Sequence, residues 1–128
     1  YSTLLRTIRS RVPQVSFRTT FIVGFPGETE ADVDQLCEFV AEHGFDHVGV
    51  FTYSHEEGTS AFALPDDVPH KVKVARRNRV MRLQKQLVKG RQARRIGERV
   101  RIVVDGPASE HELVLRGRLS TQAPDIDA

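Results

Sequence analysis

The chain has 128 residues, of which 39% are hydrophobic and 28% are charged, and this composition excludes a disordered tail. It carries no run of about 18 apolar residues and no N-terminal segment that resembles a signal peptide, so we expect a cytoplasmic protein. The single cysteine, Cys37, excludes an internal disulfide. One thiol cannot by itself hold a zinc ion or an iron–sulfur cluster, so no metal site is predicted.

Charge is distributed unevenly along the chain. Residues 1–70 hold eleven Asp or Glu and four Lys or Arg, whereas residues 71–101 hold thirteen basic residues and one acidic residue. This division indicates two parts with different partners, the second able to meet an acidic surface such as RNA. A solvated helix with a basic face is the alternative, and charge alone leaves both open.

The first elements predict a helix followed by a strand–helix–strand unit. Apolar residues at helical spacing predict a helix over residues 2–11, which Pro13 ends. β-branched and aromatic residues predict a strand over 15–23, with burial on both faces at its apolar end, and a second strand over 47–54. Because the strands are joined by a helix, we expect them to be parallel, as part of a larger sheet.

The helix between these strands has clear start and stop signals. Thr29 and Asp32 match a capping box at its start, and Gly44 supplies the stop. Its buried stripe is predicted to comprise Val33, Leu36, Cys37, Val40 and Ala41. Cys37 is therefore most simply a core residue.

Two glycines and a proline follow the first strand. Pro26 and Gly27 predict a tight turn, because proline fixes φ and glycine accepts positive φ. Ligands bind beyond the carboxyl ends of strands in open α/β sheets and barrels, and Gly24 there would let a flat ring or phosphate approach the backbone. The alternative is that the glycines only shape the turn. The spacing excludes a P-loop and a dinucleotide fingerprint.

Alternation along the strands selects further candidate residues. Arg18, Thr20 and Ile22 share one face of the first strand, and Phe51 and Tyr53 share a face of the second. A buried Arg18 would need an anion, so this face is predicted to line a polar interior near a carboxylate-bearing ligand. Arg18 at an exposed strand entrance is the alternative. The two rings could stack on an aromatic ligand or pack in the core.

The second half predicts a long basic helix and a small β module. The helix spans residues 70–94, with an irregular apolar stripe at Val72, Ala75, Leu83 and Leu87. Beyond Gly97, "RVRIVVDG" and "ELVLRGR" predict two antiparallel strands joined by the turn-forming "DGPASEH". Two or three strands are too few to bury a core.

Several motifs in order, "RTTFIVGFPGETEADV", "GFDHVGVFTYSHEEGTSA", "LPDDVP" and "APDIDA", closely resemble the methylthiotransferases of the radical S-adenosylmethionine (SAM) superfamily. "YSHEEGT" resembles the RimO-type branch, since the tRNA-modifying MiaB-type branch more often has proline and arginine where His55, Glu56 and Glu57 stand. "APDIDA" points the same way, although it departs from the usual closing glycine at Ala128. The resemblance covers essentially the whole chain.

The resemblance implies an α/β fold from the C-terminal part of such an enzyme. Residues 1–68 would be the end of the radical SAM partial barrel, 69–96 a linking basic helix, and 97–128 the start of a TRAM domain, an OB-like β-barrel. RimO-type enzymes add a methylthio group to the β-carbon of an aspartate in a small-subunit ribosomal protein. They use SAM and two 4Fe–4S clusters, whose ligands this sequence lacks, so the segment alone would be inactive.

The resemblance also implies a cofactor site but no catalytic residue. Its expected cofactor-binding residues are Ile22, Val23 and Gly24 beside the adenine, Phe51 and Tyr53 on the next strand, and Arg18 and Thr20 facing the barrel interior. His55, Glu56 and Glu57 are candidates for choosing the protein substrate, with solvated loop charges as the alternative. The acidic candidates for a basic ribosomal protein are Asp105, Glu110, Glu112, Asp125 and Asp127.

The sequence is therefore compatible with three functions. The first is a RimO-type enzyme segment, and the second is a segment of the tRNA-modifying MiaB-type branch. The third is a non-enzymatic RNA-binding module built on the basic helix and the TRAM-like strands, with RNA affinity that falls steeply as salt rises. We also expect the segment alone to be marginally stable, because it exposes apolar edges where missing strands would pair.

Overall fold

The computed structural model describes residues 1–109 and 111–123 and confirms the α/β class. In chain order its elements are α1 (Ser2–Arg11), β1 (Arg18–Val23), α2 (Glu30–His43), β2 (His47–Thr52), a short 3₁₀ helix (Ser60–Ala63), α3 (His70–Arg94), β3 (Ile102–Ala108) and β4 (His111–Leu119). The chain divides into two compact units, Tyr1–Ala93 and Arg94–Ala128. Within the described residues, no helix has the length and apolar character needed to cross a lipid bilayer.

The first unit contains the predicted strand–helix–strand arrangement. β1 and β2 pair in parallel, from Arg18 opposite His47 to Val23 opposite Thr52. β1 begins later than predicted because Phe17 is held irregularly: its N–H donates to the Asp46 carboxylate, and its carbonyl accepts from the N–H groups of Asp46 and His47. The parallel pairing and the connecting helix are both confirmed.

Helix α2 begins and ends at the predicted signals. Thr29 and Asp32 form the capping box, and Gly44 ends the helix in the left-handed conformation at φ 55°. The prediction that Ala41 belongs to the buried stripe is wrong, because Ala41 is exposed and the buried residue of the last turn is His43. The 3.6-residue period carries the inward face from Val40 to His43.

Helix α3 has the predicted bounds but buries an unexpected face. Ala75, predicted for the apolar stripe, is exposed, and Val72 is only half-buried. The buried positions of the helix are instead Lys73, Arg76, Val80 and Gln84. Val80 completes a core whose other buried members are Val23, Val33, Val40, Phe45, Val48 and Val50. Leu83 and Leu87 pack against this core, as predicted.

The second unit contains an antiparallel hairpin. β3 pairs with β4 from Ile102 opposite Leu119 to Ala108 opposite His111, with irregular register after Val104. The strands extend further into "DGPASEH" than predicted. None of the described residues of this unit is buried, and its exposed large apolar side chains are Ile96, Val100, Ile102, Val103, Val104, Leu113, Val114 and Leu115.

Candidate functional site

The carboxyl ends of β1 and β2 lie side by side and form the candidate site. The N–H of Tyr53 donates to the carbonyl of Val23 at 2.8 Å, which extends the pairing one residue beyond the strands. The chain then turns at Gly27, which has φ 79°, and the N–H of Glu28 donates to the carbonyl of Phe25 at 2.9 Å. The predicted Pro-Gly turn is confirmed.

One face of the β1–β2 sheet is open to solvent at two apolar side chains. Ile22 and Phe51 are opposite each other in register and are 60% and 63% exposed. Arg18 and Thr20 lie on the same face of β1 and are also exposed. The Ile22–Phe51 pair, hereafter the platform, has the apolar surface and the aromatic ring on which a flat ring such as adenine stacks. The residues present therefore fit a nucleoside.

Arg18 and Val23 are not placed as expected for residues that line a polar interior. Arg18 stands exposed at the start of β1, which is the predicted alternative of an exposed strand entrance. Val23 points to the opposite face and is fully buried in the core. Its side chain therefore cannot reach a ligand on the platform face, and only its backbone could take part.

Gly24 has a structural reason to be glycine. It has φ 78°, and a Cβ at this position would lie 2.3 Å from the Cγ of Lys73. Its N–H donates to the Glu28 carboxylate at 2.8 Å. The close approach to the backbone is thus made by the Lys73 stem, which supports the alternative that this glycine shapes the turn. Ligand contact at Gly24 stays a prediction.

Tyr53 belongs to an aromatic cluster beyond the end of β2. Its ring lies 5.2 Å from that of Phe25 in an edge arrangement, and its hydroxyl lies 3.3 Å from His55 Nδ1. The His55 ring stacks on Phe62 at 4.7 Å. The Lys73 ammonium also lies over the Tyr53 ring, at 4.9 Å. Tyr53 thus packs within this cluster, and the shared face with Phe51 that the alternation pattern predicts stays a prediction.

The loop after Tyr53 is charged and exposed. Ser54 donates a hydrogen bond to Glu56 at 2.5 Å, and the hydroxyl of Thr59 donates to the Glu56 carbonyl at 2.9 Å. Glu57 is exposed. These acids are therefore placed where solvent reaches them, and their role in substrate selection stays a prediction.

Two buried cations behind the site, with acidic partners that are more exposed, are absent from the residues predicted by sequence. Lys73 donates to Asp66 at 2.5 Å. Arg76 donates to the carboxylates of Glu28 and Glu30, each at 2.8 Å. Burial acts to lower the pKa of Arg76, but hydrogen bonds to Glu30 and Glu28 outweigh it, so this pKa is raised. The sequence does contain a signal for these ion pairs. Acidic residues occur in "FPGETE" and "LPDDVP", and both segments precede a basic helix that has no acidic residue of its own.

The described residues do not fit an iron–sulfur cluster. They contain no group of three or more His, Cys, Asp or Glu side chains that could hold a metal ion. Cys37 is a partly buried free thiol that packs against the core, as predicted, and burial raises its pKa.

Two of the acidic candidates, Asp105 and Glu112, lie on the strands of the β3–β4 hairpin. Asp105 accepts a hydrogen bond from Arg118 at 3.0 Å, so it is already paired. Glu110, Asp125 and Asp127 lie outside the described residues, as does all of "APDIDA" except Ala123.

Comparison with known proteins gives a consistent result. The ribosomal protein uS12 methylthiotransferase RimO of Anaeromyxobacter sp. (strain K) is 49% identical over 97% of this chain and 26% of its own length. The RimO proteins of Myxococcus xanthus (strain DK1622) and Sorangium cellulosum (strain So ce56) are 48% and 44% identical over 97% of the chain, and over 26% and 25% of their own lengths. No protein-family model matches the chain.

The chain thus spans about a quarter of the length of the curated relatives it matches. The motifs quoted above predict this similarity. The resemblance of this chain to the RimO-type ribosomal protein methylthiotransferases is confirmed over 97% of its residues.

Proposed function

We propose that this chain is the cofactor-adjacent segment of a RimO-type methylthiotransferase, whose substrate is an aspartate of a small-subunit ribosomal protein. The relatives are named as methylthiotransferases of ribosomal protein uS12, and 49% identity over 97% of the chain carries the assignment. In the complete protein, meaning the product of the whole gene that encodes this sequence, SAM and two 4Fe–4S clusters complete the enzyme. The cluster ligands lie outside the described residues, so the chain alone is inactive.

The proposed role of the sheet is to seat the nucleoside. Ile22 and Phe51 offer an apolar platform at the carboxyl ends of two parallel strands, where ligands of open α/β sheets and barrels bind. Arg18 and Thr20 line the same face and would meet a carboxylate of the cofactor or of the substrate aspartate. Bound SAM supplies the radical chemistry, and these side chains bind and orient it.

The proposed domain arrangement follows the resemblance. Residues 1–68 are assigned to the end of the partial barrel, 69–96 to a linking helix and 97–128 to the start of a TRAM domain. The proposed location is the cytoplasm, where the ribosomal substrate is made.

Mass spectrometry of a strain lacking the gene tests this function. We expect the mass of ribosomal protein uS12 to fall by one methylthio substitution, with tRNA modification unchanged, and the complete gene to restore it. Loss of a tRNA methylthio group with uS12 unchanged would transfer the protein to the MiaB-type branch. No change in either molecule would contradict the enzymatic assignment.

A second function, contact with ribosomal RNA, is favoured by the outer face of α3. Lys71, Arg82, Lys85 and Lys89 are exposed, and their helical angles group them opposite the buried face that contains Val80. No residue of α3 is acidic, and within the described residues none of these four has an acidic partner. Neighbouring like charges destabilise a helix slightly, and an RNA backbone along this stripe would offset that cost.

RNA binding by the complete protein as a function of salt tests this contact. Four phosphate contacts predict a slope of log affinity against log salt of about −3, and Lys85→Gln should make it shallower by about 0.7 to 0.9. Arg11→Gln, an equal charge change on α1, is the control and should leave the slope unchanged. Equal effects of the two variants would show that net charge, and not the stripe, attracts RNA.

A further inference from the structure

Two basic side chains near the start of α3 are buried although the rest of this helix is rich in exposed cations. Lys73 and Arg76 are 4% and 7% exposed. Buried charges are costly unless they are paired, and a well-packed apolar pair would serve stability as well or better. Their position at the carboxyl ends of β1 and β2 therefore calls for another explanation.

Lys73 joins the ends of both strands. Its stem occupies the space where a Cβ of Gly24 would lie, at the end of β1. Its ammonium group lies 3.4 Å from the carbonyl of Tyr53 and over the ring of that residue, just beyond β2. The ammonium group also donates a hydrogen bond to the carboxylate of Asp66, which holds it in place. One side chain thus contacts the ends of both strands.

Arg76 fixes the turn that follows β1. It donates to both the carboxylate and the carbonyl of Glu28, at 2.8 and 3.1 Å. The same Glu28 carboxylate oxygen accepts the N–H of Gly24 at 2.8 Å. Arg76 therefore orients the acceptor that holds the Gly24 backbone, and a second carboxylate, Glu30, fixes the guanidinium itself.

We propose that Lys73 and Arg76 are positioning residues for the nucleoside site: α3 holds the Gly24 turn and the end of β2 in the geometry that the platform requires. Among the described residues, no hydrogen bond or cation–ring contact links either side chain to the platform, so both act through the backbone and through Glu28. This inference rests on the proposed function, because it assumes that SAM binds at this end of the sheet.

SAM affinity of the complete protein, measured by equilibrium dialysis, is the first test. We expect Arg76→Gln to weaken binding about tenfold, because a small displacement of a binding group is costly. Arg76→Lys should not restore it, since an ammonium lacks the planar fork whose separate nitrogens reach Glu28 and Glu30. Arg77→Gln, a neighbouring arginine on α3, is the control and should bind SAM as the unmodified protein does.

The outcomes separate the two proposals. An unmodified complete protein that does not bind SAM would overturn the proposed cofactor site. SAM binding that is normal in the unmodified protein and unchanged in Arg76→Gln would overturn the positioning role alone.

A double-mutant cycle tests the role even if Arg76→Gln fails to fold. Gly24→Ala places a methyl group against the Lys73 stem, and Lys73→Ala removes the colliding Cγ. We expect the double variant to bind SAM at least about threefold more tightly than the product of the single effects predicts. Hydrogen exchange of the Gly24 amide should show the same coupling. Independent effects in both measurements would contradict the proposal.

Discussion

The two β-sheets of this chain have two strands each, but only one of them supports a core. The β1–β2 sheet is covered on one face, where Val23, Val48 and Val50 are buried beneath helices. The β3–β4 hairpin has no buried residue among those that the structure describes, and Leu113 is 88% exposed. Similar apolar composition thus leads to opposite degrees of burial.

The difference follows from how the strands are connected. Parallel strands require a crossover, here α2, and the crossover helix brings a cover for the sheet. An antiparallel hairpin needs only a short turn, which brings none. The first unit can therefore be stabilised by residues within itself, whereas the hairpin needs a partner surface from elsewhere.

The largest predicted difference in stability is between an aspartate introduced into the core of the first unit and one introduced on the hairpin. Val80→Asp buries an unpaired carboxylate in the core, so we expect it to reduce the free energy of unfolding of the first unit by more than about 4 kcal/mol. Val104→Asp, at an exposed hairpin position, should change stability by less than about 0.5 kcal/mol. Urea unfolding of the complete protein, followed by hydrogen exchange in each unit, measures both. Equal losses would refute the comparison.

The two ion pairs give the next contrast. Arg76→Gln leaves the partly buried Glu28 carboxylate without its cation. We expect the free energy of unfolding to fall by about 2 kcal/mol. This is less than for a fully buried ion pair, because the second partner of Arg76, Glu30, is exposed. Arg118→Gln in the hairpin removes the more accessible pair with Asp105, and the loss should be below about 1 kcal/mol. The same urea experiment ranks them. A larger loss for Arg118→Gln would reverse the account.

The helix cap of α2 gives the smallest predicted effect and a pH signature. Thr29→Ala should cost about 1 kcal/mol at pH 7. Hydrogen bonds from Thr29 lower the pKa of Asp32 in the folded protein, so their stabilisation is present above the unfolded pKa of about 3.9 and is lost as pH falls through the folded value. The difference between variant and unmodified chain should therefore shrink at pH 3. A difference that is independent of pH would contradict this.

Local signals allowed much of the first unit to be predicted. The bounds of α3, the capping box at Thr29 and the stop at Gly44 each depend on residues close in sequence. Alternation also showed that Arg18 and Ile22 share a face, but it could not show which face the helices cover. Which face is covered depends on how the helices pack against the sheet.

The parts that could not be predicted depend on distant contacts. His43 is polar, yet it is buried because its ring packs on Phe39 at 4.6 Å and its Nε2 lies 2.8 Å from the Ser2 hydroxyl. Lys73 and Arg76 are buried because Asp66, in the loop before α3, and Glu28, in the turn after β1, converge on them only in the folded chain. The packing of Lys73 against Gly24 likewise exists only after folding.

Equilibrium binding of SAM to the complete protein tests most directly the proposal that the open face of the β1–β2 sheet seats the nucleoside of SAM. Phe51→Ala removes the aromatic half of the platform and should weaken binding about tenfold, as expected for loss of one base-stacking ring. Phe62→Ala, an exposed ring that stacks on His55 instead, should leave the affinity unchanged. Unchanged affinity in Phe51→Ala, or equal losses in both variants, would contradict the account.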